Sequence, residues 1–131
     1  GGERIRLAGI DDPSFIRTGG TAEERAAAKL EQLGDGGGTF TVLLAHRPEL
    51  VEVYAEYGAG LVLSGLAHGG QVRLPLLGEL YAPGQDLQPD YDSGLYSLGE
   101  TQMVVSRGLG NSVAPLRVNN RPELVIVTLS R

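Results

Sequence analysis

Two apolar runs, Thr39 to His46 (TFTVLLAH) and Gly60 to Leu66 (GLVLSGL), constrain this chain more than anything else in it. Each is nearly continuous in apolar residues, the pattern of a strand buried on both faces. Between them Pro48 stands where a helix starts, in the first turn, where its missing amide hydrogen costs nothing. Leu50, Val53, Tyr54 and Tyr57 then fall at i, i+3, i+4 and i+7, one apolar stripe, and Gly58 ends it. Strand, helix and strand in this order predict a layered βαβ-type domain.

The residues upstream extend the pattern. Glu3 to Ile10 (ERIRLAGI) alternates charged and apolar residues, the period of a half-buried strand, and Asp11-Asp12-Pro13 breaks it. Thr21-Ala22-Glu23-Glu24 is a capping box, followed by Ala26, Ala27, Leu30 and Leu33 at helical spacing and by Gly34 as a stop. Downstream the pattern changes to β. Gln71 to Pro75 is a short strand, Tyr96 to Leu98 and Gln102 to Ser106 flank a hairpin turn at Gly99-Glu100, and Leu124 to Leu129 is a final strand. Residues 83–92 and 107–121 are expected to be loops. With 20 Gly against 2 Phe and no Trp, the chain is a turn-rich α/β chain and not a helical bundle. Its 131 residues predict a single domain, in which Gly1-Gly2 has no structural role.

Charge and composition remove whole classes of function. A net charge of -5 argues against a nucleic-acid-binding domain built on phosphate neutralisation. No apolar run approaches the roughly 18 residues of a membrane span. Without cysteine there is no disulfide framework, thiol nucleophile or thiolate metal site. The glycines at 34–38 lack the Lys-Ser/Thr ending and the preceding strand of a phosphate-binding loop. Ser64 and Ser106 lack the G-x-S-x-G context of a nucleophile elbow. Asp86, Asp90 and Asp92 do not have the spacing of a calcium loop and read as a solvated acidic loop.

What remains is a pair of histidines. His46 ends the first apolar run and His68 lies two residues beyond the second. The carboxyl ends of strands are where α/β sheets bind ligands, so the two could be metal ligands or an acid/base pair. The plainer reading is two loop histidines facing solvent or a backbone group.

The segment Leu61 to Pro75 (LVLSGLAHGGQVRLP) tips that balance. It resembles the calcineurin-like metallophosphoesterases, in the bacterial branch with GHxHGGQ followed by R-x-P. Leu43-Leu44-Ala45-His46-Arg47-Pro48 matches the LxxHxP motif of that family. Leu80-Tyr81-Ala82-Pro83, Gly94-Leu95-Tyr96, Val105-Ser106-Arg107-Gly108-Leu109-Gly110, Leu116-Arg117-Val118-Asn119 and Arg121-Pro122-Glu123 follow in family order.

The resemblance implies two divalent metals (Mn, Fe, Zn or similar) and a bridging water that attacks a phosphomonoester or phosphodiester. It places His46 on one metal and His68 on the other. Gln71, Arg73 and Arg107 are then candidates to face substrate phosphate, because a guanidinium offers phosphate a two-pronged fork. For each, a surface ion pair or a loop anchor is the plainer reading, and Arg117 reads as a loop anchor.

Two departures bear on activity. Leu66 stands where the family has the first GHxH histidine, and the D-x-H, GDxxD and GNH[DE] motifs of the family's amino-terminal half are missing. The sequence therefore resembles the carboxyl-terminal half of the family domain. Its expected fold is α/β, half of a four-layer α/β/β/α sandwich: a mixed sheet with two helices on one face and a β-meander in the second half. The other sheet face would be left open, and a homodimer would cover it. The chain alone is expected to be catalytically silent or nearly so; a non-catalytic pseudoenzyme or binding module is the alternative. Family members of this branch are often held at a membrane by a preceding segment, so the sequence leaves cytoplasmic and cell-envelope locations both open.

Overall fold

Parallel strand pairing sets the architecture. The computed structural model describes residues 3–15, 19–65, 72–74, 78–81, 91–110 and 119–130. In chain order the elements are β1 (Arg6–Ile10), α1 (Ala22–Leu33), β2 (Thr41–Ala45), α2 (Val51–Glu56), β3 (Leu61–Ser64), β4 (Val72–Leu74), β5 (Gly78–Tyr81), β6 (Gly94–Leu98) and β7 (Thr101–Val105). One mixed sheet has the order β1-β2-β3-β7-β6, and β4 and β5 form a separate antiparallel pair. β1, β2, β3 and β7 run parallel, and β6 is antiparallel to β7 across the turn at Gly99-Glu100. No described helix is long and apolar enough to cross a membrane.

The expected local signals operate as read. The Thr21 hydroxyl accepts from the Glu24 amide at 3.2 Å, and the Glu24 carboxylate accepts from the Thr21 amide at 2.9 Å. Gly34 takes a φ of 72° at the helix end, a conformation that glycine adopts without strain. Arg6 of β1 reaches the same end and donates to the carbonyls of Leu33 and Gly34, so a strand side chain satisfies orphan groups of the helix. Pro48 opens a 3-10 turn that leads directly into α2, and Gly58 follows that helix with a φ of 84°.

Both helices lie on one face. Ala8, Leu43, Val62 and Met103 are register neighbours across four strands, and they pack with Ala26 and Leu30 of α1, with Leu50 of the 3-10 turn before α2 and with Tyr54 of α2. Leu43, Val62, Met103 and Tyr54 are 0% exposed. At roughly 1.5–3 kcal/mol for each large apolar side chain removed from water, this layer dominates the stability.

On the opposite face the expectation of strands buried on both sides holds for Val42 of β2 and Leu61 of β3, 6% and 4% exposed, and fails at Leu44, 43% exposed. Leu7 of the half-buried β1 and Leu95 of β6 point to the same face and are 68% and 63% exposed, since no helix covers them. The strand expected at Leu124 to Leu129 is also absent: residues 120–130 belong to no described ladder. The reason is topological. β7 is already flanked by β3 and β6, so the tail that follows it has no place beside the strand it leaves and crosses a face instead. Val125, Val127 and Leu129 lie over that face and line a cavity of about 390 Å³ with Leu61, Leu95 and Val104. The strand expected at 71–75 is β4, with β5 an unexpected partner. Most of the loop expected at 83–92, and 111–118 of the loop at 107–121, lie outside the described residues.

Candidate functional site

Because four strands run parallel, the residues that follow them collect at one sheet edge. Asp11 and Asp12 follow β1, His46 and Arg47 follow β2, Gly65 follows β3, and Ser106 and Arg107 follow β7. This is the edge at which parallel sheets bind ligands. His46 is exposed there, so its imidazole is accessible.

The backbone at His46 is held from two elements. The hydroxyl of Ser64, buried at the end of β3, donates to the His46 carbonyl at 2.9 Å, and the Gly65 amide donates to the same oxygen at 3.5 Å. From α2, the fully buried Tyr54 donates its hydroxyl to the Arg47 carbonyl at 2.9 Å. Two successive carbonyls are thus fixed by side chains, which orients the strand end against both its neighbours. Burial, followed by the nearby Glu49 charge, pushes the Tyr54 hydroxyl well above the ordinary tyrosine range, so it stays protonated and remains a donor.

Arg47 is turned the other way. Its Nε donates to Asp12 at 2.7 Å and its Nη1 to Glu49 at 2.8 Å. Burial works against the guanidinium charge, but these two carboxylates outweigh it and raise the pKa further. Burial likewise opposes the Asp12 charge, and donation from Arg47 and Ser14 overcomes it, holding that carboxyl below its ordinary 3.8. Asp12 and Ser64 are parts of the site that sequence reasoning missed. No local signal joins Asp12 to a residue 35 positions away, and Ser64 was weighed only as a nucleophile.

The other sequence-derived residues are distributed unevenly. His68, Gln71 and Leu66 lie outside the described residues, and Arg73 lies on β4. Arg107 directs Nε and Nη2 to the two carboxylate oxygens of Glu123 at 3.2 and 3.0 Å, a fork that ties the end of β7 to the start of the tail. The Glu123 amide returns a bond to the Gly108 carbonyl at 3.0 Å. A cleft of about 850 Å³ lies at the opposite sheet edge, beside Phe40, Tyr57 and Glu100, away from His46.

Among the described residues no three His, Cys, Asp or Glu side chains stand together to hold a metal. His46 offers one imidazole nitrogen, where a bound divalent transition metal takes about four ligands. The described residues therefore do not fit a divalent ion by themselves.

Comparison with known proteins decides the family. Over 128 residues the chain is 34% identical to the uncharacterized metallophosphoesterase YkuE of Bacillus subtilis, a match covering 98% of this chain and 41% of that relative. The chain belongs to the metallophosphoesterase family. It is also 42% identical over 88 residues to the phosphodiesterase YaeI of Escherichia coli, covering 67% of this chain and 32% of that protein. An uncharacterized metallophosphoesterase of Campylobacter jejuni is 34% identical over 126 residues, 95% of this chain and 31% of its own. No family profile matches the chain, and no solved structure does. The chain thus spans about two-fifths of the length of the metallophosphoesterase YkuE. Membership of this family implies divalent metals.

Proposed function

We propose that this chain is the carboxyl-terminal part of a metal-dependent phosphoesterase acting on phosphomonoesters or phosphodiesters. In this reading His46 and His68 are its contribution of metal ligands, and Gln71 and Arg73 face the phosphate. Carboxylate ligands come from sequence outside this chain, as the relatives' greater length allows. The observation that carries the reading is His46: an accessible imidazole at the ligand-binding edge of a parallel sheet, its backbone held by Ser64, in a chain similar to named metallophosphoesterases along 98% of its length. The sheet face opposite the helices is then the inner face of a four-layer sandwich, α/β/β/α. Arg107 is the least available of the phosphate candidates, since Glu123 already accepts from its fork.

By itself the chain is catalytically silent, because isolated imidazoles leave the charge of two dications uncompensated. Leu66, an isobutyl group at a ligand position, supports a second reading in which the parent protein has lost activity and serves as a binding module. Hydrolysis of an aryl phosphodiester with added manganese separates these readings. The purified chain and its His68→Ala variant are both expected to stay at the buffer rate. A chimera joining the chain behind the amino-terminal part of YaeI is expected to hydrolyse the ester, more strongly with Leu66→His, and to lose the activity with His46→Ala. Turnover by the chain alone that disappears in His68→Ala would overturn its silence; a folded chimera inactive even with Leu66→His would overturn the phosphoesterase reading.

A further inference from the structure

At the end of β7 three donors of one residue converge on a single carboxylate. The Arg107 amide and Nε donate to Glu123 Oε2 at 3.3 and 3.2 Å, and Nη2 donates to Oε1 at 3.0 Å. A guanidinium fork backed by an amide is a cradle for an oxyanion, and its geometry suits carboxylate and phosphate alike. The turn that carries it is pinned before any ligand arrives. The Ser106 amide donates to the Ser64 carbonyl at 2.9 Å, and the Gly108 amide donates to the Ser106 hydroxyl at 3.0 Å. Gly108 holds a φ of 65°, a conformation that glycine adopts without strain. Donors ordered in advance lose little entropy when an anion enters.

The place of the cradle in the fold matters as much as its donors. Ser64 stitches three strand ends together: its hydroxyl holds the His46 carbonyl, and its own carbonyl accepts from Ser106. His46 and Arg107 therefore flank the end of β3 on the ligand-binding edge of the sheet.

Glu123 is an occupant that can leave. Both side chains of the pair are 28% exposed, so solvent reaches it. Among the described residues the backbone of 124–130 makes no hydrogen bond, so withdrawing the carboxylate breaks no ladder. Asp92 bears on the same guanidinium, after Glu123, and its charge keeps a neighbour during the exchange. Against this, the Glu123 amide donates to the Gly108 carbonyl at 3.0 Å and tethers the carboxylate at an effective concentration of roughly millimolar order. Dilute free phosphate loses that competition. A phosphate group held at the same edge by further contacts wins it.

We propose that the Arg107 cradle is a phosphate-binding site and that Glu123 masks it, an autoinhibitory contact that the phosphate group of a ligand displaces. The inference rests on the phosphoesterase reading for the identity of that ligand, but binding itself requires neither metal nor turnover.

Nitrogen-15 resonances of the arginine Nε groups in the full chain, followed during titration with inorganic phosphate at constant ionic strength, test it. In Glu123→Gln, which keeps the shape and removes the charge, phosphate is expected to shift Arg107 Nε and to bind at least tenfold tighter than in the parent chain. Glu123→Ala empties the fork and is expected to show the same gain, so the test survives if circular dichroism shows one variant unfolded. Adding Arg107→Lys, which keeps the charge and loses the fork, is expected to abolish the gain. Asp92→Asn removes a neighbouring charge while the fork stays occupied, and is expected to change affinity less than threefold. Equal affinity in the parent chain and the Glu123 variants overturns the proposal. A gain matched by Asp92→Asn, or tighter binding that leaves Arg107 Nε unmoved, overturns it as well. Failure here beside hydrolysis by the YaeI chimera removes the masked cradle and keeps the phosphoesterase reading; phosphate binding beside an inactive chimera does the reverse.

Discussion

Arg47 follows His46 directly, and its guanidinium between Asp12 and Glu49 keeps the chain after β2 close to the end of β1. Asp12 titrates below its ordinary 3.8, so the folded chain binds fewer protons at this carboxyl than the unfolded chain does. Its contribution is complete above that ordinary value and is lost as pH falls through the lower native one. Asp12→Asn should therefore destabilise the chain by about 1 kcal/mol at neutral pH, a figure discounted for the partly solvated pair. Urea midpoints taken from pH 6 to pH 2.5 should show the difference between variant and parent closing below about pH 4. Ser64 acts on the backbone instead. Ser64→Ala should cost roughly 1 kcal/mol in urea unfolding and loosen the His46 backbone in nuclear magnetic relaxation, with Ser64→Thr restoring both. Backbone order at His46 unchanged in the alanine variant would show that Ser64 does not hold this position.

The elements differ in how far local sequence decides them. α1 is marked at both ends by its own residues, Thr21 with Glu24 at the start and Gly34 at the stop. Thr21→Ala should remove the side-chain acceptor at its start and lower stability by about 1 kcal/mol, read as a lower urea midpoint with an unchanged slope. The β6–β7 hairpin was likewise legible from Gly99-Glu100 between apolar runs. The tail was not. Leu124 to Leu129 has the composition of a strand, yet β7, the strand it follows, has neighbours on both sides, and the segment crosses a sheet face instead of joining the outer β1 or β6. β2 was read more closely: its apolar run predicted a strand buried on both faces, and of its five residues only Leu44 is exposed.

At the scale of the molecule, the sheet separates two jobs. One face carries the buried layer of Leu43, Val62 and Met103 against the helices, and the other carries exposed leucines. A substitution should therefore act differently on each. Val62→Ala, in the closed layer, is expected to cost about 1–3 kcal/mol in urea unfolding, because the cavity it leaves cannot collapse between two packed elements. Leu7→Lys is expected to change stability by less than about 0.5 kcal/mol in dilute solution, since its side chain already meets water.

The amino-acid sequence by itself determined the strand–helix alternation, the helix start and stop, the hairpin and the family, because each is written in neighbouring residues or short ordered motifs. It also marked His46 as the residue to follow. The tertiary structure decided what His46 rests on: Ser64, 18 positions away, and the Tyr54 hydroxyl on the next carbonyl. It likewise decided that Arg47 answers Asp12 across 35 residues, and that the last apolar segment lies over a sheet face instead of extending a ladder. Those outcomes depend on which strands become neighbours. Pairing is a property of the whole sheet, fixed when long-range contacts repay the entropy of closing the chain between them.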